Sequence, residues 1–86
     1  MAEGIVAPPA YVPRLSNALQ AALNGAQVTF ERVRGDRYRF VVIAQEFDGQ
    51  EHPQRQRTVW NVADGALPRE DLLNVAMIIT LSPTEV

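Results

Sequence analysis

Leu15, Ala18, Leu19, Ala22 and Leu23 fall at i, i+3, i+4, i+7 and i+8, the spacing of one face of a helix. Pro13 suits the first turn of that helix and Gly25 the position just past its end. The pattern then changes period. Ala26 to Arg34 and Arg37 to Gln45 are rich in Val, Phe, Tyr, Ile and Thr, which predicts two strands joined by the Gly35-Asp36 turn. Glu46 to His52 is a loop containing Phe47-Asp48-Gly49. Pro53 is placed as the first residue of a second helix, with His52 as its N-cap and Gly65 ending it after about Asp64. Pro68-Arg69-Glu70-Asp71 opens one short helical turn. Val75 to Leu81 is almost continuously apolar, which predicts a strand buried on both faces or lying centrally in a sheet. Ser82-Pro83-Thr84-Glu85 then combines an N-cap Ser, a Pro at the first position and a Glu at the third. Only Val86 follows, too little for a helix to propagate.

The expected order is therefore arm, α, β, β, α, short α, β and an aborted α. A right-handed strand–helix–strand crossover puts the helices on one face of a three-stranded mixed sheet. That is an α+β sandwich of two layers. Residues 1–13 hold three of the six prolines and are expected to form a flexible arm, leaving residues 14–86 as the domain.

Composition narrows the chemistry. The 86 residues fit one domain. There is no Cys and one His, so neither a thiolate site, a disulfide framework nor a multi-histidine metal site is available. No apolar run reaches the ~18 residues of a membrane span, and Met1-Ala2-Glu3-Gly4 lacks the basic start of a signal peptide. The expected location is cytoplasmic. A formal net charge of −2 argues against a globally basic nucleic-acid binder. All eight basic residues are Arg, at 14, 32, 34, 37, 39, 55, 57 and 69. A coding bias accounts for that, unless position shows some to be used for their planar fork.

Two segments carry a resemblance. Phe47-Asp48-Gly49, five residues, then Arg55-Gln56-Arg57-Thr58-Val59-Trp60 resembles the F-x-G … R-H-R-x-V-[YF] signature of the BolA family. Leu73-Asn74-Val75-Ala76-Met77-Ile78-Ile79-Thr80-Leu81-Ser82-Pro83-Thr84-Glu85 resembles that family's closing I-H-A-L-x-[LI]-x-T-x-[TS]-P-x-E. The resemblance spans roughly Arg14 to Val86. It implies an αββααβ(α) fold similar to a class II KH domain, a monothiol glutaredoxin as protein partner and a role in iron–sulfur handling or transcriptional regulation. Two positions depart from the pattern: Gln56 and Asn74 stand where the family has His. The family can hold a shared [2Fe–2S] cluster through the second of these, with another His or Cys from the loop between the first two strands. Here that loop is Gly35-Asp36. A carboxamide is a poor ligand for such a cluster, so no cofactor is expected. No G-x-x-G nucleic-acid loop of the KH type exists in the sequence.

Arg55 and Arg57 sit in the first turn of the second helix, where free N–H groups and two cations make a natural anion site. The plainer alternative is pairing with Glu46, Asp48 or Glu51. Gln56, Val59, Trp60 and Ala63 are expected on the inward helix face, Arg57, Asn61 and Asp64 outward. In the hairpin, a two-residue turn would put Arg32, Arg34, Arg37 and Arg39 on one face, at a cost in repulsion. A three-residue turn shifts the register by one and puts Val28, Phe30, Tyr38, Phe40, Val42 and Ala44 together. The second gives the better apolar face and is the register expected. Pro8-Pro9-Ala10-Tyr11 matches a WW-domain ligand, Arg34-Gly35-Asp36 an integrin tripeptide. The first is expected to be arm packing and the second only a turn. His52 has no nucleophile or carboxylate set around it, and no catalytic constellation is found.

The expectation is a non-enzymatic adaptor, monomeric or weakly dimeric. It binds a protein partner through Phe47, Gly49, Arg55, Gln56, Arg57 and Asn74. The alternative is a transcriptional regulator holding nucleic acid with Arg55, Arg57 and the hairpin arginines Arg32, Arg34, Arg37 and Arg39.

Overall fold

The computed structural model describes residues 7–86. Its elements are α1 (Tyr11–Ala22), β1 (Gln27–Arg34), β2 (Arg37–Ile43), a 3-10 turn (Gln45–Phe47), α2 (His52–Ala66), α3 (Arg69–Leu72), β3 (Val75–Leu81) and a closing 3-10 turn (Pro83–Glu85). The sheet order is β1-β2-β3, with β1 antiparallel and β3 parallel to the central β2. The α+β arrangement agrees with the sequence. The part of the proposed arm before residue 7 lies outside the described residues.

β2 alternates cleanly. Tyr38, Phe40 and Val42 are buried against the helices, and Arg39, Val41 and Ile43 face the other way. The hairpin satisfies both sequence constraints at once. Arg34 pairs with Arg37 across a two-residue turn, with Gly35 at φ +55° supplying the conformation that L side chains avoid. A bulge at Val33 then shifts the register, so Arg32 pairs with Tyr38 and Phe30 with Phe40. Below the bulge this is the apolar register expected. The four arginines therefore do not share a face: Arg32 stands with Tyr38, and Arg37 and Arg39 lie opposite.

β3 corrects the expectation of a central or doubly buried strand. It is an edge strand. Val75, Ile78 and Thr80 are buried, while Met77 is exposed and Ile79 and Leu81 are half-exposed. The apolar run reflects an outer sheet face lined with aliphatic side chains, where Val41 stands beside Ile79 and Ile43 beside Leu81.

Helix ends moved by one or two residues. α1 starts at Tyr11, and its buried face is Tyr11, Val12, Leu15, Ser16 and Leu19, with Ala22 exposed. Tyr11 is 3% exposed, so the Pro-Pro-Ala-Tyr segment has no free tyrosine to offer a WW domain. Its hydroxyl donates to the Asp36 carbonyl at 2.6 Å, and the Asn74 carbonyl lies 3.1 Å away. Burial pushes the phenol above its ordinary pKa, and Asp36 and Asp71 add to the shift. α2 has Glu51, not His52, as its N-cap, and continues through Gly65 to Ala66. The core joins α1, β2, Phe47, Val59, Ala63, Leu67, Val75 and Ile78.

Candidate functional site

The sequence-derived residues fall into two groups that the fold keeps apart. The first lies where α2 begins beside the later half of β3. Arg55 is 4% exposed. Its Nη1 and Nη2 donate to the two carboxylate oxygens of Glu85 at 2.7 and 3.0 Å. Its Nε donates to the Gln50 carbonyl at 2.9 Å, and Nη1 reaches the Thr80 carbonyl at 3.5 Å. The guanidinium also lies 5.8 Å from the centre of the Phe47 ring. Hydrogen bonding to Arg55 is the main reason the Glu85 carboxyl is lowered to about 2, and the Ser82 N–H, donating at 2.8 Å, adds to it. The same Glu85 bond raises the Arg55 pKa further above its ordinary value.

This geometry corrects the anion-site expectation for Arg55. Its fork is filled by a carboxylate from the other end of the sequence, not by Glu46, Asp48 or Glu51, which had been the plainer candidates. Phe47 is fully buried and has no surface for a partner. Gly49, at φ +82°, makes the turn that brings Gln50 under Arg55. Gln56 is engaged on both atoms of its carboxamide. Its Nε2 donates to the Ile78 carbonyl at 2.8 Å, and its Oε1 accepts from Trp60 Nε1 at 3.1 Å. Arg57 stands exposed, as does Gly49, and Arg57 has no carboxylate in salt-bridge range among the described residues. The partner sequence reasoning missed is Glu85. Its signal was present: Arg55 and Glu85 sit in the two segments that carried the family resemblance.

The second group lies at the opposite end of β3. Through its two carbonyl contacts, Tyr11 holds the Gly35-Asp36 turn beside Asn74. These are the two places from which the resemblance draws cluster ligands, and the fold brings them together. The side chains there are a carboxylate and a carboxamide, with no imidazole or thiolate. Gln56 is not part of this meeting place. The chain's one His, His52, is exposed at the start of α2. No group of three or more His, Cys, Asp or Glu among the described residues could hold a metal. The donor set does not fit a [2Fe–2S] cluster. Next to Asn74, Leu73 is 72% exposed.

The hairpin arginines also separate. Arg39 is bound to Glu31. Arg32 Nε donates to the Gly35 carbonyl at 3.0 Å. Arg34 and Arg37 oppose each other at the exposed tip.

Two layers, a mixed sheet with the hairpin first and a helical crossover to a parallel edge strand define a BolA-like fold. Solved structures agree. The chain is similar to the BolA domain of SufE1 from Arabidopsis thaliana, at 19% identity over 93% of this chain and 100% of that one, with a TM-score of 0.72. It is similar to BolA1 from Arabidopsis thaliana, at 22% identity over 86% of this chain and 93% of that one, TM-score 0.66. A bolA protein homologue from Coxiella burnetii matches at 22% identity over 83% of this chain and 88% of that one, TM-score 0.62. No family model and no curated protein matches the chain. No helix among the described residues is long and apolar enough to cross a membrane.

Proposed function

We propose that this chain is a non-enzymatic BolA-like adaptor that docks a protein partner at the end of the domain where β3 begins. The observation that carries the reading is Leu73. A leucine 72% exposed beside Asn74 and the Gly35-Asp36 turn, on a scaffold pinned by Tyr11, is the kind of apolar anchor partners seat. The likeness to BolA folds supports a monothiol glutaredoxin as the partner class. Docking proceeds without a shared cluster, because Asp36 and Asn74 are the wrong donors for one.

The test is titration of isotope-labelled protein with an apo monothiol glutaredoxin, followed by NMR. Shifts are expected at Leu73, Asn74 and Asp36, and Leu73→Glu weakens binding by about tenfold. Adding iron and sulfide is expected to leave the complex colourless. Shifts confined to another face refute the docking surface. A stable coloured complex refutes the donor argument.

The nucleic-acid reading has less to support it, since Arg55 and Arg39 are already paired with Glu85 and Glu31. It requires a steep loss of affinity with salt, carried by Arg57, Arg32, Arg34 and Arg37.

A further inference from the structure

We propose that the outer edge of β1 is a second docking site, one that takes an extended acidic peptide as an added strand. The edge is structurally ready. Gln27 to Arg32 pair in unbroken register with β2, and among the described residues no strand pairs on the other side of β1. A regular strand with one unpaired row of N–H and C=O groups is a template for another. Side-chain chemistry selects the occupant. Phe30 is 43% exposed while its ring packs edge-on to Tyr38 at 6.0 Å and tilted against Phe40 at 6.1 Å. It is thus a rigid aromatic shelf at the margin of the sheet. Val33, 52% exposed, follows it toward the tip. Arg32, Arg34 and Arg37 then crowd the tip, with no carboxylate in salt-bridge range among the described residues.

Arginines on an edge also serve to discourage aggregation. That role explains the charges but not a half-open phenylalanine next to them. An incoming strand would place an apolar side chain over Phe30 and an acidic one, two residues along on the same face, beside Arg32. Four of the chain's eight arginines fall between Glu31 and Arg39, with only Glu31 and Asp36 against them. A second copy of this hairpin would therefore bring like charge to like, and an acidic partner is favoured over self-pairing. Glu31 on the outer face and a whole-chain charge of −2 disfavour a nucleic-acid backbone.

The experiment uses the full chain and a fluorescent Val–Glu peptide about as long as β1, in which Val and Glu alternate along one face and Thr fills the other (Thr-Val-Thr-Glu repeated). Controls are a Val–Lys peptide, a Val–Glu peptide with Pro at its centre and single-stranded DNA of matched charge. Saturable binding of the Val–Glu peptide is expected, with slowed hydrogen exchange in β1. The Arg32→Glu, Arg34→Glu double variant should weaken it by about tenfold, and the Pro peptide should lose at least as much. Leu73→Glu should leave it unchanged, which separates this site from the glutaredoxin reading. Equal binding of the Pro peptide overturns strand addition. Equal binding of the Val–Lys peptide, or indifference to the arginine variant, overturns the acidic specificity. Tighter, Arg-dependent DNA binding makes the hairpin a polyanion site instead. A concentration-dependent dimer that the same double variant abolishes makes the occupant a second copy.

Discussion

The two edges of this small sheet are finished differently. On β3, the carbonyls of Ile78 and Thr80 point away from β2, and side chains from the first turn of α2 meet them: Gln56 Nε2 at 2.8 Å and Arg55 Nη1 at 3.5 Å. On β1, seven of the eight residues are exposed, and no strand among the described residues matches the outer row. The difference follows from topology. A parallel neighbour such as β3 can be reached only by a crossover, and the crossover helix returns alongside the strand it leads to. A hairpin needs no such return, so among the described residues no strand is brought to the far side of β1. Closure of one edge is thus a by-product of how the chain gets there, and the other edge stays available.

The largest expected effect comes from opening the closed edge. Arg55→Met keeps much of the apolar stem but removes every donor to Glu85, Gln50 and Thr80. The Gln50 and Thr80 carbonyls lose a charged partner, and the closing turn loses its anchor. Thermal unfolding should shift down by at least several degrees, and hydrogen exchange should quicken at the C-terminal turn and along β3 but not along β1. Equal loosening of both edges would mean that Arg55 stabilises the core as a whole and does not close an edge.

The same clasp sets an acid limit. Glu85 has its carboxyl lowered to about 2 from an ordinary value of 4.5, so between those values the unfolded chain binds more protons than the folded one. Stability from this group is complete above 4.5 and is lost as the pH falls toward 2. Acid unfolding followed by circular dichroism should show that limb in the native protein. In Arg55→Met and in Glu85→Gln the limb should flatten. If it persists in both, another carboxylate is responsible.

Gln56→Leu should come next, at about 1–2 kcal/mol. It leaves the Ile78 carbonyl and the Trp60 indole N–H without their partners, and denaturant midpoints at unchanged m would register the loss. The variant also tests whether the carboxamide where the family resemblance expects imidazole has an edge-closing job. Gln56→His should recover part of the stability, since one ring nitrogen can still donate.

Much of this fold was legible because its signals are local. The Gly35-Asp36 turn, the period change after Gly25 and the start of α2 near Pro53 need only a few adjacent residues. The apolar register of the hairpin followed from side-chain alternation alone. The Val33 bulge did not, because a two-residue turn and a shifted register look mutually exclusive until one extra residue reconciles them. β3's place was misjudged because its outward residues, Met77, Ile79 and Leu81, are aliphatic, which erases the alternation that marks an edge. The site was hardest. Arg55 and Glu85 are 30 residues apart, and nearer acids in the loop were locally plausible partners. Leu73 was passed over because exposure is not a property of spacing.

The smallest expected change is the most discriminating about how completely the β3 side is finished. Thr80 is 2% exposed and its backbone carbonyl is capped by Arg55, yet its Oγ1 is buried with no hydrogen-bond partner, as is Gln50 Oε1. A hydroxyl that gains nothing inside the fold still loses water on folding. Thr80→Val keeps the branched shape and removes that group, so it should be neutral or stabilising by up to about 1 kcal/mol. The Arg32→Glu, Arg34→Glu pair on the open edge should sit within about 0.5 kcal/mol of the native protein, as exposed substitutions do. Thermal melts of all three chains would place them together. If Thr80→Val instead costs as much as Gln56→Leu, the hydroxyl is bonded in solution, and the polar network under Arg55 extends inward from the edge to the core.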